Sequence, residues 1–201
     1  MKTYGALAVI QIILLGFQGI SYLLIQRFQG TYHDMSKKTD YNIPLRSRWI
    51  YVYVLWYPLI ALYPIYLYSC SVMYYKIYMC AILVDILISL LIYVLYPTSF
   101  QRPVPSGSNL SSKLLRGMYI VNYKGLNCMP SMHCSQCFII LITTAVCNSQ
   151  GYMNILIAGG ILLLSAGIVL STLYIKQHVL ADVITALPVA AFCYFISCVL
   201  I

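Results

Sequence analysis

The chain contains no glutamate. Its acidic residues are the four aspartates Asp34, Asp40, Asp85 and Asp182, set against 12 lysines and arginines, for a formal charge of +8. Charged residues of both signs make up only 8% of its 201 residues, whereas soluble domains carry about 25%. A water-facing surface cannot be assembled from so few, which excludes a soluble fold. The 62% hydrophobic content and the mean hydropathy of +0.85 are those of an integral membrane protein. A basic balance points to nucleic acid, anionic lipid headgroups or phosphate. In this composition the lipid and phosphate readings prevail, and no nucleic-acid partner is expected.

Charge is absent over stretches of membrane-spanning length. A helix crossing ~30 Å of hydrocarbon needs about 20 residues. No charge falls from Thr3 to Gln26 or from Trp49 to Tyr75, and Ile77 to Gln101 carries only Asp85. The uncharged run from Gly125 to Ile175 is wide enough for two spans, divided at Asn148-Ser149-Gln150-Gly151, and a last run follows Asp182. The first run is too long and too weakly flanked for a signal peptide. These gaps predict an all-α bundle of six transmembrane helices over residues 1–201 as one domain. The spans are expected near 4–26, 49–71, 77–96, 131–148, 152–173 and 179–200, with kinks at Pro58 and Pro64. Residues 27–48 read as a basic loop and 97–130, rich in proline and serine, as a second loop. With six spans, both loops and the 174–178 junction share one membrane face.

Two of the three histidines fall on that face at helix starts. His133 opens the fourth span and His178 the sixth, and Asp182 follows His178 by four residues. Residues i and i+4 share a helix side, so the Asp182 carboxylate reaches one ring nitrogen of His178 and leaves the other as nucleophile or base. Arg102, Lys113, Arg116, Lys124 and Lys176 crowd the same face and, with the N–H groups at the start of the fourth span, supply the parts of a phosphate pocket. Most of the eight cysteines lie in or beside apolar runs, as small hydrophobes do. Cys134 and Cys137 have CxxC spacing with Cys128 nearby, but the set lacks a fourth ligand, so no metal site is expected. His33 reads as a solvated loop residue, and Asp85 as a bonded structural group toward the opposite face.

The stretch Asn127-Cys128-Met129-Pro130-Ser131-Met132-His133 resembles the Pro-Ser-Gly-His motif of the type 2 phosphatidic acid phosphatase superfamily. Ser171-Thr172, with His178 and Asp182 at the matching spacing, resembles that family's Ser-Arg-x5-His-x3-Asp motif, and Arg102-Pro103 the end of its Lys-x6-Arg-Pro motif. The three occur in the family's order. The run Asp40-Tyr41-Asn42-Ile43-Pro44, with Trp49 and Trp56-Tyr57-Pro58, is further similar to the branch nearer the sphingolipid phosphotransferases. Three positions depart: Leu95 stands for the lysine, Thr172 for the arginine and Met132 for the glycine. The departures imply weak phosphatase activity or a preference for another headgroup.

The resemblance implies a membrane lipid phosphatase needing neither metal nor cofactor. His178 would attack phosphorus and form a phosphohistidine, Asp182 would hold its ring, and His133 would serve as acid and then base. Arg102, Lys176, Ser131, Ser171 and Lys124 would bind the phosphoryl oxygens. Its partners would be a membrane lipid substrate and the bilayer itself. The enzyme alternative is a headgroup phosphotransferase; the non-enzyme alternative is a lipid transporter or binding protein. The expected location is integral and multi-pass in the cell membrane. Ten basic residues on the active face (27, 37, 38, 46, 48, 102, 113, 116, 124 and 176) against Lys2 and Lys76 opposite place that face in the cytoplasm by the positive-inside rule.

Overall fold

The computed structural model describes residues 2–29, 31–121 and 125–201, so Lys124 lies outside the described residues. Six helical stretches are long and apolar enough to cross a membrane: Gly5–Phe28, Ser47–Cys70, Val72–Leu95, Met132–Ser149, Ile155–Tyr174 and Leu180–Leu200. The chain is an all-α, multi-pass membrane bundle, as its charge gaps predict.

In chain order the elements are α1 (Lys2–Phe28), β1 (His33–Asp34), α2 (Lys38–Tyr41), α3 (Ile50–Tyr53), α4 (Trp56–Cys70), α5 (Val72–Leu95), β2 (Thr98–Ser99), α6 (Leu110–Val121), α7 (Met132–Ser149), α8 (Ile155–Tyr174) and α9 (Leu180–Leu200). The central helix is α7, which packs on α5, α8 and α9. Its Cys134, Cys137, Ile139 and Ile140 are fully buried, because an interior helix must bury both flanks. By contrast α1 packs mainly on α4 and α5 and leaves Ile12, Ile13 and Ile20 exposed, as suits a helix facing lipid.

Boundaries follow local chemistry. Ser71 caps α5 by accepting the Tyr74 N–H, so the third span starts at Val72 rather than near 77, and Lys76 is helical. Asn154 accepts from the Leu156 and Ile157 N–H groups, which starts α8 at Ile155. The second span breaks where the backbone loses a donor. Pro58 cannot donate to the Val54 carbonyl, Tyr57 donates to it instead at 3.3 Å, and the chain turns between α3 and α4. Pro64 sits inside α4 and likewise cannot reach the Ile60 carbonyl; the buried side chain of Gln11 on α1 donates to that oxygen at 2.8 Å.

The loop expected at 97–130 holds an amphipathic helix, α6. Ser111, Ser112 and Leu115 are buried, and the Ser47 hydroxyl lies 3.1 Å from that of Ser111 and 3.3 Å from that of Ser112. Arg116 donates to the Pro105 and Gly107 carbonyls, so its charge clamps the loop. The strands β1 and β2 pair in parallel and tie the 27–48 loop to the 97–130 loop. His33, read as a solvated loop residue, is exposed as expected, though it lies in β1 and stacks on Tyr96 with ring centroids 4.1 Å apart. Asp85 is buried in α5 and accepts from the Ser135 hydroxyl at 2.8 Å.

Candidate active site

The turn between α8 and α9 sets the position of His178. The Thr172 carbonyl accepts from the N–H groups of both Gln177, at 2.9 Å, and His178, at 3.2 Å. Lys176 takes a left-handed backbone at φ 52°, uncommon for a residue with a side chain. Beyond the turn, the Asp182 carboxylate accepts the Val179 N–H at 3.0 Å and the His178 Nδ1–H at 3.3 Å through the same oxygen, Oδ2. Both side chains are buried. Nε2 of His178 and Oδ1 of Asp182 have no hydrogen-bond partner among the described residues. The ring is therefore oriented with its second nitrogen open.

His133 stands in the first turn of α7, with its ring centroid 5.8 Å from that of His178. Its Nε2 shares a hydrogen bond of 2.9 Å with the Tyr53 hydroxyl, and the Trp56 ring packs beside it at 4.5 Å between centroids. Ser131 ties the two histidine segments together: its N–H donates to the Asp182 carbonyl at 3.2 Å, and its hydroxyl oxygen caps α7 by accepting the Cys134 N–H at 3.2 Å. Further bonds fix the approach to α7. Thr98 accepts from the N–H groups of Cys128 and Met129, and the Tyr93 hydroxyl donates to the Pro130 carbonyl.

His133, His178 and Arg102 line one cavity of about 360 Å³. The rest of its wall is mostly aromatic and apolar, with Leu15, Gly19 and Tyr22 contributed by α1 and Tyr53, Trp56 and Tyr57 by the second span, and Gln18, Asn127 and Gln177 add polar groups. Arg102 also lines a second cavity of about 410 Å³, with Asp40, Gln101 and Lys176, and a third with Tyr119 and Gly125. The guanidinium lies 5.2 Å from the centre of the Tyr119 ring, within cation–π range. Burial pushes the Tyr119 phenol up to about 12, with the Arg102 charge opposing. Gly125 is required beside it: its φ is 57°, and a Cβ there would meet the Phe100 carbonyl at 3.1 Å.

The structure thus brings together His178, Asp182, His133 and Arg102. Ser171 and Lys176 it places elsewhere. The Ser171 hydroxyl donates to its own helix at the Ile168 carbonyl, 2.6 Å away. The Lys176 ammonium donates to the Asp40 carbonyl at 2.6 Å, and burial lowers its pKa, with the Asp40 charge opposing. Asp40 in turn accepts N–H groups from Lys37 and from Leu180 at the start of α9, both at 2.8 Å, so the basic loop is pinned beside α9.

Tyr53 escaped the sequence reading, and Cys128 entered it only beside the CxxC pair that was set aside as a metal site. Tyr53 lies among 20 tyrosines, and only its position four residues after Trp49 in a run of mixed aromatics sets it apart. The Cys128 thiol donates to the Gly125 carbonyl at 2.9 Å, and burial, reinforced by the Asp182 charge, raises its pKa well above the ordinary value, with Arg102 opposing. Cys128, His178 and Asp182 each offer a metal-ligating atom, all within 4.8 Å of one another. No family model, curated protein or solved structure matches this chain, so its chemistry is argued from these residues.

Proposed function

We propose that the protein is a membrane lipid phosphatase of the type 2 phosphatidic acid phosphatase kind, cleaving a lipid phosphomonoester or diphosphate through a phosphohistidine. The observation that carries this is His178: one ring nitrogen is engaged by a buried aspartate, the other is open, and a second histidine stands 5.8 Å away across a cavity walled by helices.

The lipid enters the cavity beside α1 with its phosphate toward Arg102, whose guanidinium offsets phosphoryl charge. Nε2 of His178 attacks phosphorus, the N–P bond forms, and the ester P–O bond breaks. His133 in its protonated form gives its proton to the leaving oxygen, and the ring proton on Nδ1 of His178 stays hydrogen-bonded to Asp182, whose charge balances the modified imidazole. In the second half His133 takes a proton from water, the new O–P bond forms, the N–P bond breaks and phosphate leaves. Tyr53 acts through His133 by holding Nε2 and is a positioning residue.

A phosphotransferase is favoured over simple hydrolysis by one feature, the second cavity that shares Arg102 and gives room for an acceptor alcohol beside the phosphoryl group. A cell-membrane location with a cytoplasmic active face follows from the excess of basic residues on the 27–48 loop.

The test is phosphate release by purified protein in detergent from phosphatidic acid, phosphatidylglycerol phosphate and polyprenyl diphosphates, beside His178→Ala. Release lost in the variant supports the phosphatase. Headgroup transfer to added alcohols without phosphate release supports the transferase. Turnover that survives in His178→Ala overturns both.

A further inference from the structure

We propose that Cys128, His178 and Asp182 form a binding site for a thiophilic divalent cation such as zinc, and that the bound ion holds the nucleophilic histidine in a resting state. The binding stands on the geometry alone; the resting state rests on the phosphohistidine reading above.

The three ligating atoms lie within 4.8 Å of one another, and all three residues are buried. In a tetrahedral zinc site, metal–ligand bonds of 2.0–2.3 Å put ligand atoms roughly 3.5 Å apart, so side-chain movement of about an ångström completes the set. Two of the three residues hold a polar atom with no partner among the described residues, Nε2 of His178 and Oδ1 of Asp182. A metal-free design leaves a buried carboxylate oxygen uncompensated, which is costly; an ion beside it removes that cost. The backbone is fixed at each ligand. Thr98 holds Cys128, the Thr172 carbonyl holds His178, and the first turn of α9 holds Asp182.

The donor set selects the metal. One sulfur, one imidazole nitrogen and one carboxylate oxygen suit zinc and exclude magnesium or calcium, which take oxygen ligands. Three protein ligands leave the fourth position to water on the cavity side. The CxxC pair that the sequence draws attention to does not take part: the Cys134 sulfur lies 3.6 Å from the Thr172 hydroxyl, and Cys137 is buried in the bundle core.

The binding step balances without redox change. The Cys128 thiol releases to solvent the proton it now donates to Gly125, its sulfur and one His178 lone pair bond the ion, and Asp182 supplies a carboxylate oxygen. While an imidazole lone pair is bonded to metal it cannot attack phosphorus.

The test titrates the full chain in detergent with cobalt(II) and follows its absorption. A thiolate-to-cobalt charge-transfer band with tetrahedral d–d bands, displaced by zinc, is expected. In Cys128→Ser the band vanishes and zinc affinity falls at least about tenfold, since losing a direct ligand costs no less than losing an outer-shell partner. Cys134→Ser keeps the band. A zinc-dependent rise in Tm of the wild-type protein supplies a reading that does not depend on whether the Cys128 variant folds. Absence of the charge-transfer band in the wild type, or its persistence in Cys128→Ser, overturns the site. Zinc that binds through Cys128 yet leaves His178-dependent lipid turnover undiminished overturns the resting state. A cobalt spectrum that depends on Cys128 in a protein that hydrolyses no lipid phosphate sustains the metal site and overturns the phosphatase reading instead.

Discussion

The hydroxyl of Tyr53 and Nε2 of His133 lie 2.9 Å apart, joining the second span to the first turn of the fourth. The tyrosine is 1% exposed, so the bond is shielded from water and sets the tilt of the imidazole. Removing the hydroxyl alone tests that role. Tyr53→Phe should lower kcat about threefold to tenfold, the worth of one hydrogen bond, with KM little changed. Its pH–rate profile should also shift on the limb set by His133. A fall in Tm with an unmoved profile would assign Tyr53 to packing only.

His178→Ala should lose at least about a thousandfold in turnover while eluting from size exclusion like the wild type, since covalent catalysis disappears with its nucleophile. His133→Ala should let phosphoenzyme form only from substrates with good leaving groups, detected as acid-labile, base-stable label on protein. Chelation by EDTA should leave turnover unchanged or raise it, because no step needs a metal. Strong inhibition by EDTA would sink the phosphohistidine mechanism.

Arg102 and Lys176 both resemble phosphate ligands in sequence and share the second cavity, but of the two only Arg102 also lines the histidine cavity. Arg102→Ala should cut kcat/KM about 100-fold to 1,000-fold, the usual effect of losing a charge-stabilising donor. Lys176→Met loses the bond to the Asp40 carbonyl. It should cost about 1 kcal/mol of stability and change kcat/KM less than about threefold. Kinetics of the two variants on one lipid decide the matter; equal losses would bring Lys176 back to the phosphate.

Gln11 donates to the Ile60 carbonyl that Pro64 leaves open. Gln11→Leu should cost about 1–2 kcal/mol, as an interhelical bond in a membrane does. In a Pro64→Ala background residue 64 regains the N–H that serves Ile60, and the same change should cost less. A double-mutant cycle on thermal unfolding reads the difference; additive effects would contradict the pairing.

The six spans were legible because a charge inside hydrocarbon is expensive, and the basic residues fall between the spans or near their ends. The His178–Asp182 pair was legible because i, i+4 spacing fixes contact on a helix. What escaped depends on contacts across the fold. Nothing local says that Lys176 turns toward Asp40, 136 residues earlier, instead of toward His178. Nor does local sequence say that Ser171 spends its hydroxyl on the Ile168 carbonyl. The helix α6 hid among prolines and serines because Ser111 and Ser112 share its buried face with Leu115, while Leu110 and Leu114 are exposed. Cys128 looked like part of a CxxC cluster until the chain folded it against His178.

Besides the apolar packing of Leu7 and Leu14, polar bonds attach the first helix to its neighbours, from Gln11 to Ile60, between Gln18 and Gln136, and from Tyr22 to the Leu126 carbonyl. Its 27 residues extend about 40 Å, beyond the ~30 Å of hydrocarbon they cross, so it must lean. Leu15, Gly19 and Tyr22 of that leaning helix form one wall of the histidine cavity. Membrane thickness, through the tilt of this helix, therefore acts on the width of the cavity that the two histidines share.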